Sequence, residues 1–247
     1  MKLFGLIGYP LEHSASPDLF KKMTARENLK DAEYRLFPLK EITDLPRLVA
    51  DNPDLAGFNV TSPYKQAILP YLTRTDIAAD TIGAVNTVKV VRENGDVELH
   101  GYNTDYIGFA ESLLEVLPHT PRRALILGTG GASRAARYAL TGMRCSVTTV
   151  SRTPAKGDRT YSELTAELVR NHLLVINATP LGMSPNLGRC PDFPFELLTG
   201  KHFLFDLIYN PEETEFLRQG RLHGARTCNG LAMLRHQAEA SYKIWGL

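Results

Sequence analysis

Two groups of residues in this chain of 247 residues have types and spacings suited to chemistry. The first lies in "LILGTGGASRAA", residues 125–136, where Gly128, Gly130 and Gly131 stand between an apolar strand and a helix. Glycines permit a tight turn there, and the helix N-terminus offers backbone N–H groups to a pyrophosphate. Ser133 occupies the third glycine position of the G-x-G-x-x-G pattern. A lone Gly-rich match is weak, and an ordinary structural turn is its competing reading; the strand–turn–helix setting favours a dinucleotide. The next strand, "VTTV", runs into "SRTPAK" (151–156), which has no acid to hold the ribose 2′-hydroxyl of NAD. Arg152 can lay its guanidinium on a 2′-phosphate and Lys156 can add a second charge. The competing reading is a solvated basic loop. The pattern points to NADP over NAD, and so to hydride transfer.

A carbonyl that accepts hydride needs a proton donor for the developing alkoxide and polar groups that orient it. The second group of residues supplies both kinds. "HSASP" carries Ser14 and Ser16, "NVTSPYK" carries Asn59, Thr61 and Lys65, "GAVNT" carries Asn86, and "GYNTD" carries Asp105. A free lysine, with pKa ~10.4, is protonated at neutral pH and suits an acid better than a base. Each residue also has a bland reading. Ser16 and Asp105 can cap helices, Asn59 and Thr61 can form a solvent-facing strand stripe, Asn86 can sit in a turn, and Lys65 can be an exposed helix lysine.

The elements that must position these groups alternate between strand and helix. "KLFGLIG", "AEYRLFPL" and "LAGFNVT" read as strands. "SPDLFKKMTARENL" (16–29) reads as a helix with Ser16 as N-cap and Pro17 at the first helical position. "EITDLPRLVAD" and "PYKQAILPYL" read as further helices. Asn94-Gly95 marks a hairpin between "NTVKVVRE" and "DVELHGYN". A second series begins near residue 121 with "RRALILG", "ASRAARYAL", "CSVTTVSR", "LLVINAT", "HFLFDLIY" and the helix "PEETEFLRQGRLHG". The last stretch predicts a helix with Leu231, Leu234, Ala238, Tyr242 and Trp245 on one face. Strands alternating with helices predict largely parallel sheets, and in such sheets ligands lie beyond the carboxyl ends of the strands, where the candidate groups fall. The reading is α/β, in two domains with a boundary near residue 102.

Composition sets the remaining bounds. With 28 basic and 27 acidic residues the formal net charge is +1, so no bulk field recruits nucleic acid or an anionic membrane. No apolar run approaches the ~20 residues that span a bilayer, and the N-terminus lacks the h-region of a signal peptide. Three widely spaced cysteines, Cys145, Cys190 and Cys228, without C-x-x-C spacing, predict neither structural zinc nor a disulfide scaffold. A cytoplasmic protein acting on small molecules is the expectation.

"GYPLEHSASP", "GFNVTSPYK", "GAVNT", "NTD", "GTGGAS", "SRT", "INATPLGM" and "NGLAML" occur in the order and context of the shikimate dehydrogenase family, which the chain resembles from residue 5 to about residue 240. The resemblance implies an N-terminal α/β substrate domain, residues 1–102 completed by the C-terminal helix 229–247. A Rossmann-like NADP-binding domain, 103–228, would follow, with a cleft between the two. It implies that Ser14 and Ser16 hold the substrate carboxylate. Asn59, Thr61, Asn86 and Gln237 would bind ring hydroxyls together with Lys65 and Asp105, and these last two would be the catalytic pair. Tyr209 would reach the substrate. Gly128, Gly130, Gly131, Ala132 and Ser133, with Ser151, Arg152, Thr153 and Lys156, would hold the phosphates of NADP, and Thr179 would lie along it. The backbone at Leu207 and Gly230 would meet the nicotinamide carboxamide, with Met233 packed nearby. The family often has Asn where this chain has Ser151, and Arg where it has Lys156, which keeps the charge but loses the bidentate fork.

The activity implied is reversible, NADPH-dependent reduction of 3-dehydroshikimate to shikimate in the biosynthesis of chorismate and aromatic amino acids, by a monomer or homodimer. Three alternatives stay open on sequence alone. They are a quinate/shikimate dehydrogenase with relaxed NAD(P) use, a related reductase for an aminoshikimate, and a non-catalytic NADPH-binding sensor, which would be expected to have lost Lys65 or Asp105.

Overall fold

The apolar run after Met1 forms the first strand, β1 (Lys2–Gly8), buried from Leu3 onward. The computed structural model describes Met1 to Leu247 apart from His13, Lys30 and Pro118. The first sheet continues with β2 (Ala32–Pro38), β3 (Leu55–Val60), β4 (Arg74–Thr75), β5 (Thr87–Glu93) and β6 (Asp96–Tyr102). Helices α1 (Ser16–Arg26), α2 (Leu45–Asp51), α3 (Tyr64–Ala67) and α4 (Ile77–Ile82) connect these strands. The strand order is β2-β1-β3-β5-β6-β4. β1 pairs parallel with β2 and β3, whereas β5 runs antiparallel to both β3 and β6. The hairpin turns at Asn94-Gly95, both with positive φ, as the right-handed strand twist favours.

The second sheet is wholly parallel. Its strands are β7 (Arg123–Leu127), β8 (Ser146–Ser151), β9 (Arg159–Thr160), β10 (Leu174–Asn177), β11 (Phe203–Asp206) and β12 (Arg226–Cys228), in the order β12-β11-β10-β7-β8-β9. This is the doubly wound, Rossmann arrangement, with its switch point between β7 and β10. Helices α5 (Asp105–Val116), α6 (Gly131–Gly142), α7 (Ala166–Asn171), α8 (Glu215–Leu222) and α9 (Leu231–Trp245) complete the chain. β7, β10 and β11 are buried almost end to end, as strands covered on both faces must be.

Two compact units result: Met1–Thr104 with Gln237–Leu247, and Asp105–His236. The second division falls inside α9, so its last residues belong to the first unit. There Phe4, Phe20, Tyr242 and Trp245 form an aromatic cluster, with Phe4 and Trp245 stacked at 4.9 Å between centroids. Trp245 also donates from Nε1 to the Val88 carbonyl at 2.9 Å, which answers the polar end of an otherwise buried side chain. The main core of this unit gathers Ile7, Leu45, Leu55, Phe58 and Ile68. In the second unit Phe109, Ile126 and Phe205 lie on one side of the sheet core, and Leu125, Val175, Leu204 and Phe216 form a separate cluster.

Several local expectations shift. Ser16 is the first residue of α1 and Ala15 its N-cap, so Pro17 stands one position deeper, still within the turn where its missing N–H is harmless. The segment 63–72 makes one α-turn and then a 3₁₀ turn, Leu69–Tyr71, because Pro70 cannot donate to the previous turn. The helix expected from Pro211 starts at Glu215, where the Thr214 hydroxyl accepts the Leu217 N–H. Leu231 is 54% exposed, so the apolar face of α9 does not extend to its first residue. The two-residue strands β4 and β9, and the three-residue β12, are too short to carry a periodic signal.

Candidate active site

In the first unit the strand ends converge on amides and hydroxyls. Asn59, one residue from the end of β3, accepts from the Tyr34 hydroxyl at 2.9 Å. Its amide nitrogen donates to Ser241 Oγ at 3.0 Å and Thr87 Oγ1 at 3.2 Å, with the Asn86 carbonyl at 3.3 Å. Both amide hydrogens of Asn59 thus have acceptors inside this unit, which fixes the side chain in one orientation. Thr87, Thr104 and Ser241 are fully buried, and their hydroxyls lie 2.8–3.2 Å apart as a triangle.

Asn86 sits on the other side of that triangle and is 2% exposed. Its Oδ1 accepts the Thr104 N–H at 2.6 Å, which fixes the amide orientation. Its Nδ2 therefore points to Thr104 Oγ1 at 2.9 Å and to Gln237 Oε1 at 3.3 Å. On the far side, burial pushes the Tyr34 phenol up, so it stays a donor to Asn59 at any ordinary pH. Ser14 accepts the Ser16 N–H at 3.3 Å. One continuous network thus joins Asn59, Asn86 and Gln237. Thr87, Thr104 and Ser241, which link them, and Tyr34, which donates to Asn59, escape sequence reasoning; the one signal was that Ser241 follows Gln237 by four, on the same helix face.

Thr61 follows β3, and its N–H donates to the Ile7 carbonyl at 2.9 Å. Lys65 lies half-buried on α3, and its carbonyl accepts the Val85 N–H at 2.7 Å, tying its turn to the residue before Asn86. Asp105 opens α5 and is 5% exposed. A carboxylate so buried needs strong partners or a functional reason to be there.

The glycine turn of the second unit lies at its switch point. Gly128 has φ +108°, and a Cβ there would come within 3.0 Å of the Ala178 carbonyl, so only glycine lets the loops after β7 and β10 approach this closely. Gly130 is the N-cap of α6, and without a side chain it leaves the first-turn N–H groups of Gly131, Ala132 and Ser133 no side-chain cap. Ser133, in place of the third glycine, donates from Oγ to the Gly128 carbonyl at 2.7 Å and closes the turn. These features fit a pyrophosphate.

In the loop after β8, Arg152, Thr153 and Lys156 are exposed, and buried Ser151 accepts the Thr153 N–H at 3.1 Å. The nearest acid downstream, Asp158, is engaged elsewhere. It accepts the Thr149 N–H and hydroxyl, each at 2.8 Å, and pairs with Arg137 at 3.2 Å. The loop therefore presents two cations, a donor set suited to a phosphate.

At the ends of β10 and β11, Thr179 donates to Asn177 Oδ1 at 2.7 Å, and the Leu207 N–H donates to the Asn177 carbonyl at 3.0 Å. Gly230 donates to the Ile208 carbonyl at 2.9 Å, and a Cβ on it would collide with the Leu207 carbonyl oxygen. Tyr209 is half-buried, and Met233 is 7% exposed within the core around Phe109 and Phe205. Sequence reasoning missed Asn177, Asp206 and Thr214, which bind these loops together from beneath.

Among the described residues no group of His, Cys, Asp and Glu could hold a metal ion, and no helix is long and apolar enough to cross a membrane. Residues 6–88 match the family model of the shikimate dehydrogenase substrate binding domain. The NADP(+)-dependent shikimate dehydrogenase of Desulforamulus reducens is 38% identical over 98% of this chain and 88% of its own. A shikimate 5-dehydrogenase from Thermus thermophilus, solved with NADP(H) and shikimate, superposes with a TM-score of 0.86 at 33% identity, covering 100% of this chain and 94% of that one. A quinate dehydrogenase from Corynebacterium glutamicum in complex with NAD gives 0.85 at 28% identity, over 100% and 94%. With relatives this similar along almost its full length, the chain belongs to the shikimate dehydrogenase family.

Proposed function

We propose that this protein is an NADP-dependent shikimate dehydrogenase that reversibly reduces 3-dehydroshikimate to shikimate, within the synthesis of chorismate and the aromatic amino acids. The observation that carries the reading is family membership across both units with Lys65 and Asp105 both present. NADPH supplies the hydride when bound. Lys65 delivers a proton to the developing alkoxide oxygen at C3, and its ammonium stabilises negative charge as it forms there. Asp105 orients that ammonium. Ser14 and Ser16 hold the substrate carboxylate. Asn59, Thr61, Asn86 and Gln237 hold ring hydroxyls, and Tyr209 contacts the substrate.

Arg152 and Lys156 receive the 2′-phosphate, with Ser151 and Thr153 shaping that loop; the Gly128–Ser133 turn receives the pyrophosphate. Thr179 lies along the cofactor, Leu207 and Gly230 offer backbone groups to the carboxamide, and Met233 supports them from the core. The substrate-binding domain is the first unit and the cofactor domain the second. The protein works in the cytoplasm as a monomer or homodimer.

Steady-state appearance of NADPH absorbance with shikimate as donor tests this reading; no turnover of shikimate with NADP or NAD would sink it. The likeness to the quinate dehydrogenase favours one second reading, broader substrate and cofactor use. Quinate turned over as fast as shikimate, or NAD used as well as NADP, would establish that reading instead.

A further inference from the structure

Asp206 takes no part in the chemistry above, yet it is a carboxylate with no solvent exposure. It ends β11, in parallel register with Asn177 at the end of β10. Every group the structure sets against its oxygens is a donor. The Ile208 N–H lies at 3.0 Å, the Thr214 hydroxyl at 2.5 Å, and the Asn177 amide nitrogen at 3.1 and 3.2 Å from the two oxygens. A carboxylate accepts from all three at once, whereas an amide here would turn hydrogens toward one of them and require the Thr214 hydroxyl to reverse its role. Desolvation outweighs these bonds and pushes the carboxyl up to about 6. A residue serving packing alone would avoid that penalty.

The partners show what the carboxylate holds. Asn177, oriented by Asp206, accepts both the N–H and the hydroxyl of Thr179, at 3.0 and 2.7 Å. Ile208, held by its N–H, accepts from Gly230 through its carbonyl, and Gly230 packs on the Leu207 carbonyl. Thr214 caps α8 with the same hydroxyl that meets Asp206. The segments after β10, β11 and β12 are thus anchored on one buried group. Among the described residues, Asp206 bonds to Asn177, Ile208 and Thr214, and not to the glycine turn or Arg152.

We infer that Asp206 is a positioning residue for the nicotinamide end of the cofactor. Acting through Asn177 and Ile208, it sets the backbone at Thr179, Leu207 and Gly230 and leaves the adenylate end untouched. This rests on the reading that the second unit binds NADP(H).

The test compares two probes on the full chain by calorimetry: NADPH, and adenosine 2′,5′-bisphosphate, which lacks the nicotinamide half. Asp206→Asn should weaken NADPH roughly tenfold, the scale of a lost buried hydrogen bond, with the bisphosphate within about twofold of wild type. Its kcat should fall by about 10²-fold, the scale of a misplaced reacting group. If that variant does not fold, Thr214→Val carries the same comparison, and Thr214→Ser, which keeps the donor, should restore the wild-type ratio. Equal losses for both probes, or none for either, overturn the inference while wild-type binding leaves the cofactor reading intact. A wild-type chain that binds neither probe overturns the cofactor reading and this inference with it.

Discussion

The polar network of the first unit is made of neutral amides and hydroxyls, whereas the strand-end network of the second is centred on a buried carboxylate. Around Asn59 and Asn86, three hydroxyls can exchange donor and acceptor roles within the triangle of Thr87, Thr104 and Ser241. Such a network can rearrange its hydrogens to meet a polyhydroxylated ring without moving heavy atoms. Around Asp206 there is less freedom, because an ionised carboxylate offers only acceptors and the Ile208 N–H, the Asn177 amide and the Thr214 hydroxyl all donate to it. On the proposed function, the contrast follows from what each network would hold. Side chains that meet a substrate profit from adaptable partners, and backbone loops that fix a rigid ring profit from an anchor that cannot invert.

The sharpest way to break this contrast is to remove the proposed proton donor from the neutral side. Lys65→Ala should lower kcat on the order of 10²–10⁴-fold, with a smaller change in substrate KM. Near-wild-type kcat would mean that Lys65 is not the acid.

The charged side is tested through pH. Burial holds the Asp206 carboxyl at about 6, so between pH ~4 and 6 the native state keeps a proton that the unfolded chain has released. Stability from this group is present below pH ~4 and lost as pH rises through 6, on the order of 3 kcal/mol in all. The difference in unfolding free energy between wild type and Asp206→Asn should shrink by that amount from pH 4 to 7. A difference that does not vary with pH would mean the group stays ionised throughout.

Two smaller effects refine the comparison. Arg152→Ala should raise KM for NADPH about 10-fold or more while leaving KM for NADH nearly unchanged, as loss of a charged hydrogen bond implies. Equal effects on both cofactors would mean that Arg152 does not see the 2′-phosphate. Ser241→Ala removes one corner of the hydroxyl triangle and should cost about 1 kcal/mol in denaturant unfolding, since Thr87 and Thr104 can re-pair. A loss several times larger would show that this network is no more adaptable than the one at Asp206.

What the sequence alone determined about this protein obeys short-range rules. The glycine turn between β7 and α6, the Asn94-Gly95 hairpin and the strand–helix alternation rest on neighbours within a few residues, and each appears where its pattern predicts. The polar residues of the site were likewise readable by type at strand ends. Their partners were not. Asn59 meets Ser241 across 182 positions, and Asn86 meets Gln237 across 151, because α9 returns to the first unit after the whole second sheet has been built. Ser16 had the composition of a cap, but the chain turns into the helix one residue earlier, with Ala15 as N-cap and Ser16 already helical. Asp206 read as one acid inside an apolar strand, and its meaning depends on the parallel register that sets Asn177 beside it. Local sequence decides which groups are available; only tertiary structure decides which of them are donors, which are acceptors and which are anchored, because hydrogen-bond roles are fixed by the partner and not by the residue.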